Sequence, residues 1–176
     1  FGQDGKLAAS VTRQKVNLSR DFEVLVPVSD GNYSFIAWAG INDKFKMNTF
    51  SPGVTTREDV MSTLNSVNNV AAALSATEHI WQGESAVVFL PAPEEFGSVH
   101  KHTAINLREL TNKVRIIVEF DKTTMKTYDI KKLNVAVSSA NGTLNIDGSM
   151  PLNAPVLAYT PAETKMEGNS ASWLYS

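Results

Sequence analysis

Short apolar runs of four to eight residues alternate with turn signals along most of this 176-residue chain. Runs of this length suit strands, whereas the helices of globular proteins need longer periodic segments. Nine runs are predicted as strands, at 11–18, 22–28, 33–40, 79–82, 85–90, 103–107, 113–120, 133–138 and 143–146. This spacing is typical of an all-β sandwich.

Alternation within the runs predicts which side of each strand meets the core. In the run 113–120 the even-numbered positions are apolar, while Arg115 and Glu119 lie on the opposite face. The run 22–28 shows the same alternation, but Pro27 lacks a ladder donor and predicts an edge or a bulge there. The run 33–40 has no strongly polar face, which predicts a central strand.

A short helical insertion is predicted between residues 40 and 79. The sequence Thr55-Thr56-Arg57-Glu58-Asp59 has the pattern of a helix N-cap followed by acids in the first turn. Apolar residues then recur at helical spacing. We therefore expect a helix over about 57–65, and a second helical turn over 70–74, where three alanines favour it.

Composition excludes several classes of protein. The 16 Lys and Arg nearly balance the 18 Asp and Glu, so the chain lacks the positive charge that nucleic-acid binding needs, and no nucleic-acid partner is expected. The chain has no cysteine, which excludes disulfides and thiolate chemistry. No apolar run approaches the length of a membrane span. Hydrophobic residues make up 43% of the chain, which suffices for a sizeable core.

Candidate chemical sites are weak in this sequence. His100 and His102 would point to one side of a strand, and His79 is the third histidine, but a zinc site needs more ligands with defined geometry. The acidic turns at Asp4, Asp30, Asp147 and Asp121-Lys122 do not fit a calcium loop, and hairpin turns are expected instead. The familiar enzyme motifs are missing, so we expect no catalytic residue, no metal and no cofactor.

The three tryptophans allow two interpretations. Trp38, Trp81 and Trp173 would form a sugar-binding platform if they were exposed and coplanar, as in a surface carbohydrate-binding module. Their strand contexts favour core packing instead. A third reading, a hydrolase, would need two carboxylates facing each other across a cleft.

Four segments, taken in order, resemble the fimbrillin-associated anchor proteins of Bacteroides-type (type V) fimbriae. The segment 1–6 is similar to the end of the family's first strand, and 31–40 to its Gly-x-Tyr, apolar, Ala-Trp-x-Gly strand. The segment 80–84 resembles its aromatic-x-Gly turn, and 105–116 its Leu-x-Arg-x-x-Asn-Lys-apolar strand pair. The marker positions, expected to be mainly structural, are Gly5, Gly31, Tyr33, Trp38, Gly40, Trp81, Gly83, Leu107, Arg108, Asn112 and Lys113.

The resemblance implies a fold and a function. It implies an all-β, transthyretin-like Greek-key β-sandwich of about seven strands with a short helical insertion, in a family that has such a sandwich for each of two domains. It also implies an exported, non-enzymatic lipoprotein that anchors or caps a pilus at the outer membrane and acts in assembly and adhesion. The implied partners are other pilus subunits, held through strand-edge pairing, and the outer membrane, reached through a lipid anchor that is not in this chain.

The resemblance also implies a division of the chain. Residues 1–158 are expected to form the N-terminal sandwich, and 159–176 a linker and the start of a second sandwich. The abrupt opening at Phe1 predicts that a first strand precedes it. Without that strand, we expect a groove lined by the apolar faces of 22–28 or 113–120.

Overall fold

The computed structural model describes residues 1–121, 123 and 129–176, which form an all-β structure of short strands. The strands are β1 Gly31–Tyr33, β2 Ile36–Ala39, β3 Phe45–Met47, β4 Met61–Leu64, β5 Ser66–Val67, β6 Val70–Ala71, β7 Trp81–Glu84, β8 Val88–Leu90, β9 Arg108–Glu109, β10 Val114–Glu119, β11 Val137–Ser139, β12 Thr143–Asn145, β13 Leu157–Tyr159, β14 Glu163–Glu167 and β15 Ser170–Tyr175. Ile130–Lys132 form a 3₁₀ turn. The all-β class is thus confirmed; the transthyretin-like Greek-key topology remains a prediction.

The strands pair into five small sheets. Their orders are β1-β8, β2-β7-β9, β12-β4-β3, β11-β13-β6-β5 and β10-β15-β14. All pairs are antiparallel except β13 with β6. Many of the predicted runs therefore exist, but as short pieces divided among several sheets. None of the described residues belongs to a helix long and apolar enough to cross a lipid bilayer.

Strand β15 supplies the centre of the largest apolar cluster. Ala171, Trp173 and Tyr175 alternate along one face of the strand and are each at most 4% exposed. Ile116 and Val118 of the neighbouring β10 pack against them, because cross-strand partners share a face. The predicted alternation of the run 113–120 is confirmed for Ile116, Val118 and Phe120, whereas Val114 is 52% exposed.

The helix predicted over 57–65 is wrong. Thr56 donates both its backbone N–H and its hydroxyl to the Asp59 carboxylate, at 2.8 Å each, which closes a tight turn. Strand β4 follows, and Val60, Ser62 and Leu64 are all buried at a period of two. Ser62 lies buried where an apolar residue was expected, so the strand period was hidden and the helical spacing of Val60 and Leu64 stood out.

The second helical turn, predicted over 70–74, is also wrong. Strands β5 and β6 form a tight hairpin around Asn68 and Asn69, whose φ angles are 52° and 60°. Asparagine tolerates the left-handed region, which the two central residues of such a turn must adopt. The Asn-Asn pair was the missed signal, and it outweighs the helix propensity of the alanines that follow.

Three predicted strands are not formed among the described residues. The runs 11–18, 22–28 and 103–107 have no ladder partner. Several apolar side chains in them are solvent-exposed, including Leu18 at 50% and Leu25 at 71%. Strand propensity alone does not make a strand, because the ladder and the buried face come from a neighbour.

The run 33–40 is divided between two sheets rather than forming one central strand. Strand β1 pairs with β8, whereas β2 lies at one end of its three-stranded sheet. At the break, Phe35 donates its N–H to the Ser85 hydroxyl at 3.0 Å and accepts from the Ser85 N–H at 2.9 Å. This serine joins the two sheets where the ladder changes direction.

Two of the predicted acidic turns are tight turns in the structure. Gly5 donates to the Gly2 carbonyl at 3.0 Å, and Gly148 donates to the Asn145 carbonyl at 2.9 Å. Both Gly5 and Gly148 have positive φ, which glycine adopts without steric cost. In the turn predicted at Asp121-Lys122, Lys122 lies outside the described residues.

The segment 159–176 folds as a hairpin against β10. Six residue pairs join β10 to β15, and β14 pairs along the other side of β15. The Tyr175 hydroxyl donates to the Val135 carbonyl at 2.9 Å, which ties the hairpin to the preceding chain. The division of the chain into domains at residue 158 stays a prediction.

Glu78 connects two loops through charge-assisted hydrogen bonds. Its carboxylate accepts from Lys44 Nζ at 2.6 Å, from Asn42 Nδ2 at 2.7 Å and from the Ser75 N–H at 2.6 Å. These donors, Lys44 above all, lower the pKa of Glu78 to about 2. The charged form therefore holds the loop before β3 against the loop before β7.

This network predicts a specific acid sensitivity. Because the folded-state pKa lies below the ordinary value of 4.5, the carboxylate stabilises the fold fully above that value, and the contribution disappears as the pH falls to about 2. We expect Glu78→Gln to lower the free energy of unfolding by about 1–2 kcal/mol at pH 7. Denaturant unfolding between pH 7 and pH 2 measures this. The difference from wild type should vanish toward pH 2, and a constant difference would contradict the assignment.

Candidate functional site

Three side chains from neighbouring strands converge on one segment of backbone. Trp38, Gln82 and Arg108 are cross-strand partners on β2, β7 and β9, so they share a face of that sheet. The Ile146 carbonyl accepts from Trp38 Nε1 at 3.1 Å and from Gln82 Nε2 at 3.2 Å. Arg108 Nη2 donates to the carbonyl of the next residue, Asp147, at 2.8 Å. We call these three donors the polar row.

The segment that the polar row holds is itself fixed by local chemistry. The Asp147 carboxylate accepts from the Ser149 hydroxyl at 2.6 Å and from the Ser149 N–H at 2.9 Å, and these bonds lower the pKa of Asp147. Gly148 follows with a φ of 79°. The turn after β12 therefore presents two successive carbonyls to the row, which joins β12 to the sheet β2-β7-β9.

The polar row predicts a measurable cost for losing one donor. Trp38→Phe keeps an aromatic ring but removes the indole N–H, leaving Gln82 as the remaining donor to Ile146. We expect a loss of about 1 kcal/mol in the free energy of unfolding, the usual net value of a hydrogen bond.

The matched control for this prediction is Trp81→Phe. Trp81 is half-buried on the opposite face of the adjacent strand, and its indole N–H makes no hydrogen bond to a described residue. Urea unfolding of both variants separates the contribution of the Trp38 N–H to the free energy of unfolding from the effect of replacing an indole ring by a smaller ring. Equal losses in the two variants would contradict the assigned role of the Trp38 N–H.

Two marker glycines are required by close backbone approach. A Cβ on Gly40 would lie 1.8 Å from the His79 carbonyl oxygen, and Gly40 also has a φ of 85°. A Cβ on Gly83 would lie 2.4 Å from the Asn106 carbonyl oxygen and 2.8 Å from Ile105 Cγ2. These glycines let neighbouring segments pack directly on the sheet β2-β7-β9.

The markers near the start of the chain lie in the sheet β1-β8. Gly31 has a φ of 141°, and Tyr33 pairs with Val88 across the sheet. On the other side, Tyr33 bridges to Gly2, next to the turn that contains Gly5. All three markers here shape backbone turns or pairings, and the Tyr33 hydroxyl donates to the nearby Asp30 carbonyl at 3.3 Å.

The last three markers, Leu107, Asn112 and Lys113, lie before and after β9 and do not form a common site. Leu107 is 36% exposed, and Asn112 and Lys113 are on the link to β10. Asn112 Nδ2 donates to the Leu110 carbonyl at 3.4 Å, which is a local bond within the loop. The structure therefore separates them from Arg108, the neighbouring marker that joins the polar row.

An ion pair that the sequence reasoning missed lies beside the polar row. Arg57 contacts both carboxylate oxygens of Glu84, at 2.6 and 2.8 Å, and its guanidinium lies 5.8 Å from the Phe1 ring centroid. The pair lowers the pKa of Glu84 and raises that of Arg57, chiefly through the hydrogen bonds between them. No local signal could have found it, because its partners are 27 residues apart.

The tryptophans do not form an exposed platform. Trp173 is 4% exposed, and Trp38 and Trp81 are half-buried. One side of Trp81 faces the His79 ring, with the centroids 5.3 Å apart. Two exposed, coplanar tryptophans were the condition for the carbohydrate-binding reading, and this condition is not met.

The histidines are also dispersed. His79 Nδ1 contacts the Glu109 carboxylate, His100 Nε2 lies 3.3 Å from the Ser98 hydroxyl, and His102 is exposed. Within the described ranges, no group of three or more His, Asp or Glu side chains is placed to hold a metal ion.

The sheet β10-β15-β14 has two unlike edges. Along β14, Glu163, Lys165 and Glu167 are partly or fully exposed, and such charges discourage pairing with another strand. Along β10, Val114 and Ile117 are 52% and 57% exposed. No backbone hydrogen bond links the outer edge of β10 to another described residue.

The described residues form an all-β protein, whose marker residues hold strands and turns together. The chain belongs to the family of fimbrillin-A associated anchor proteins Mfa1 and Mfa2, whose sequence model matches residues 1–175. The resemblance found in the sequence is thereby confirmed.

Individual relatives agree with this family. The chain is 32% identical over 171 residues to the minor fimbrium anchoring subunit Mfa2 of Porphyromonas gingivalis, covering 97% of this chain and 50% of that protein. The solved structure of the fimbrial anchor protein Mfa2 from that species superposes with a TM-score of 0.84 at 28% identity, covering 99% of this chain and 61% of the solved one. The chain thus spans only half to three-fifths of these relatives.

A second solved structure shares the fold. It is a Bacteroides thetaiotaomicron protein described as a candidate polysaccharide-binding protein, with a TM-score of 0.72 and 23% identity over 99% of this chain and 60% of its own length. At that identity the likeness concerns the fold alone.

Proposed function

We propose that this chain is part of a non-enzymatic fimbrial anchor subunit, which attaches a pilus to the outer membrane and acts in pilus assembly and cell adhesion. The main support is the family assignment over residues 1–175. The geometry agrees, since the marker residues of the described chain stabilise a rigid all-β block. A rigid exported block is what an anchor needs in order to transmit force between a filament and the cell.

Pairing with other pilus subunits through strand edges is part of this proposal. Strand β10 is the better candidate edge, because its exposed side chains include the apolar Val114 and Ile117 besides Arg115 and Glu119, whereas β14 carries alternating charges. An extended segment of another subunit would add to β10 by backbone hydrogen bonds. The lipid anchor that would attach the whole protein to the outer membrane is a further part of the proposal.

The proposal predicts where fimbriae are found when the gene is removed. In the source bacterium, deletion should shift fimbriae from the cells to the culture medium, and expression of the full-length protein should restore them. Immunoblotting of cell and medium fractions measures this shift. If deletion leaves the cell-associated fraction unchanged, the anchor function is wrong.

A further inference from the structure

A groove of mixed polar and apolar surface lies beside the sheet β1-β8. It has a volume of about 380 Å³ and runs between the segment that enters β1 and the loop that follows β8. The half-buried side chains of Val28, Leu90, Pro91 and Val99 contribute its apolar surface. Most small-molecule and peptide sites combine such an apolar surface with a few polar groups at the rim.

A closed turn projects an aromatic ring next to this groove. The Gly97 N–H donates to the Glu94 carbonyl at 2.9 Å, so residues 94–97 form a defined turn. Within it, Phe96 is 98% exposed. Pro93 precedes the turn and lines the groove, and its fixed φ reduces the freedom that the loop would lose on binding. The ring is therefore presented on a partly ordered loop.

Acidic side chains lie on the two segments that form the groove. Asp30 lines the groove, and Glu94 and Glu95 lie on the turn beside it. None of these three carboxylates forms an ion pair with a described residue. The lining segments 28–30 and 90–99 contain these three acids and no Lys, Arg or His.

From these observations, we infer that the acidic groove and Phe96 bind an extended, basic polypeptide segment that alternates apolar and Lys or Arg side chains. Apolar side chains of the segment lie on the groove floor and against the Phe96 ring. Its cations meet Asp30, Glu94 and Glu95, whose charges select them and speed the encounter. That this segment belongs to another fimbrial subunit rests on the proposed function, whereas the preference for a basic segment rests on the groove alone.

Fluorescence polarisation of a labelled peptide of alternating lysine and valine tests this inference on the folded chain. We expect saturable binding at low salt that weakens as salt is added, because exposed charges are screened. Phe96→Ala should weaken binding by about tenfold, the scale of a single aromatic anchor. The double change Glu94→Gln with Glu95→Gln should weaken it to a similar degree.

Matched controls lie elsewhere on the surface. Leu152 is fully exposed on another turn that follows a proline, and Glu167 is an exposed acid on β14. Leu152→Ala and Glu167→Gln should leave the affinity unchanged. Equal losses in the control variants, or unchanged binding in Phe96→Ala, would overturn the inference, as would binding of a glutamate-valine peptide or of a neutral oligosaccharide in place of the basic peptide.

The outcome is separable from that of the proposed function. Loss of cell-associated fimbriae on gene deletion, together with absent peptide binding, would leave the anchor function standing and remove the groove assignment. If the peptide binds but gene deletion leaves the fimbriae attached to the cells, the groove assignment stands and the anchor function is removed. Circular dichroism of each variant should match wild type, since the exchanged side chains are exposed.

Discussion

Replacing Gly40 with alanine is expected to destabilise the fold by at least about 3 kcal/mol. The added Cβ would lie 1.8 Å from the His79 carbonyl oxygen, so the backbone between β2 and β7 must move. The φ of 85° adds about 1–2 kcal/mol for any residue with a side chain. Thermal unfolding should show a fall in Tm of about 10 °C.

The control for this prediction is Gly53→Ala. Gly53 has a similar φ of 76°, but an added Cβ would meet nothing within 4 Å, so the change measures the backbone cost alone. We expect a loss of about 1–2 kcal/mol there. If the two alanine variants unfold at the same temperature, close packing on His79 is not what requires glycine at position 40.

Truncation of Trp173 to alanine is expected to cost about 3–5 kcal/mol, the range for large buried aromatic side chains. The ring is 4% exposed and packs with Ala171, Tyr175 and Ile130 in the cluster between β15 and the chain around the 3₁₀ turn. Because this cluster joins the C-terminal hairpin to the rest of the described chain, the whole structure should lose stability. Guanidinium unfolding and hydrogen exchange at the amides of β10 measure the effect.

Ile117→Ala provides the comparison for Trp173. Ile117 lies on β10 and pairs with Ser172, on the face away from the cluster, and it is 57% exposed. Its loss should cost less than about 1 kcal/mol. The Trp173 variant also tests the predicted domain division. If 159–176 folded apart from 1–158, Trp173→Ala would leave the protection of the β10 amides unchanged. That result would support the domain division and contradict the loss of stability that we expect across the whole structure.

Sequence patterns predicted strands well where both the alternation and a partner were present. In β10, Ile116 and Val118 face the core as their spacing indicated. In the run 22–28 a similar alternation gave no strand, because no other described segment supplies a ladder there. A pattern reports the preference of a segment, whereas a strand is a property of two segments.

The prediction of a helical insertion was wrong for a related reason. Val60 and Leu64 fit both a helical and a strand period, and buried Ser62 removed the apolar residue that would have decided between them. The pairing of β4 with both β3 and β12 settled the conformation. These contacts join segments far apart in the chain, which a local period does not detect.

The marker residues also show what local sequence can and cannot predict. Their order along the sequence was enough to identify the family, although Gly31, which the sequence places in a turn, begins strand β1. What Trp38 and Arg108 do could not be predicted, because both donate to carbonyls of the distant segment 146–147. The acidic groove likewise required two loops that are distant in sequence.

The sequence by itself determined the all-β class, the family, the tight turns at Gly5 and Gly148 and the absence of cysteine chemistry, since each follows from residue type and short-range order. The tertiary structure decided which runs become strands, which glycines tolerate no side chain and which polar groups are paired. The physical reason is that ladders, close contacts and ion pairs depend on distances between remote segments. Those distances exist only once the chain has folded.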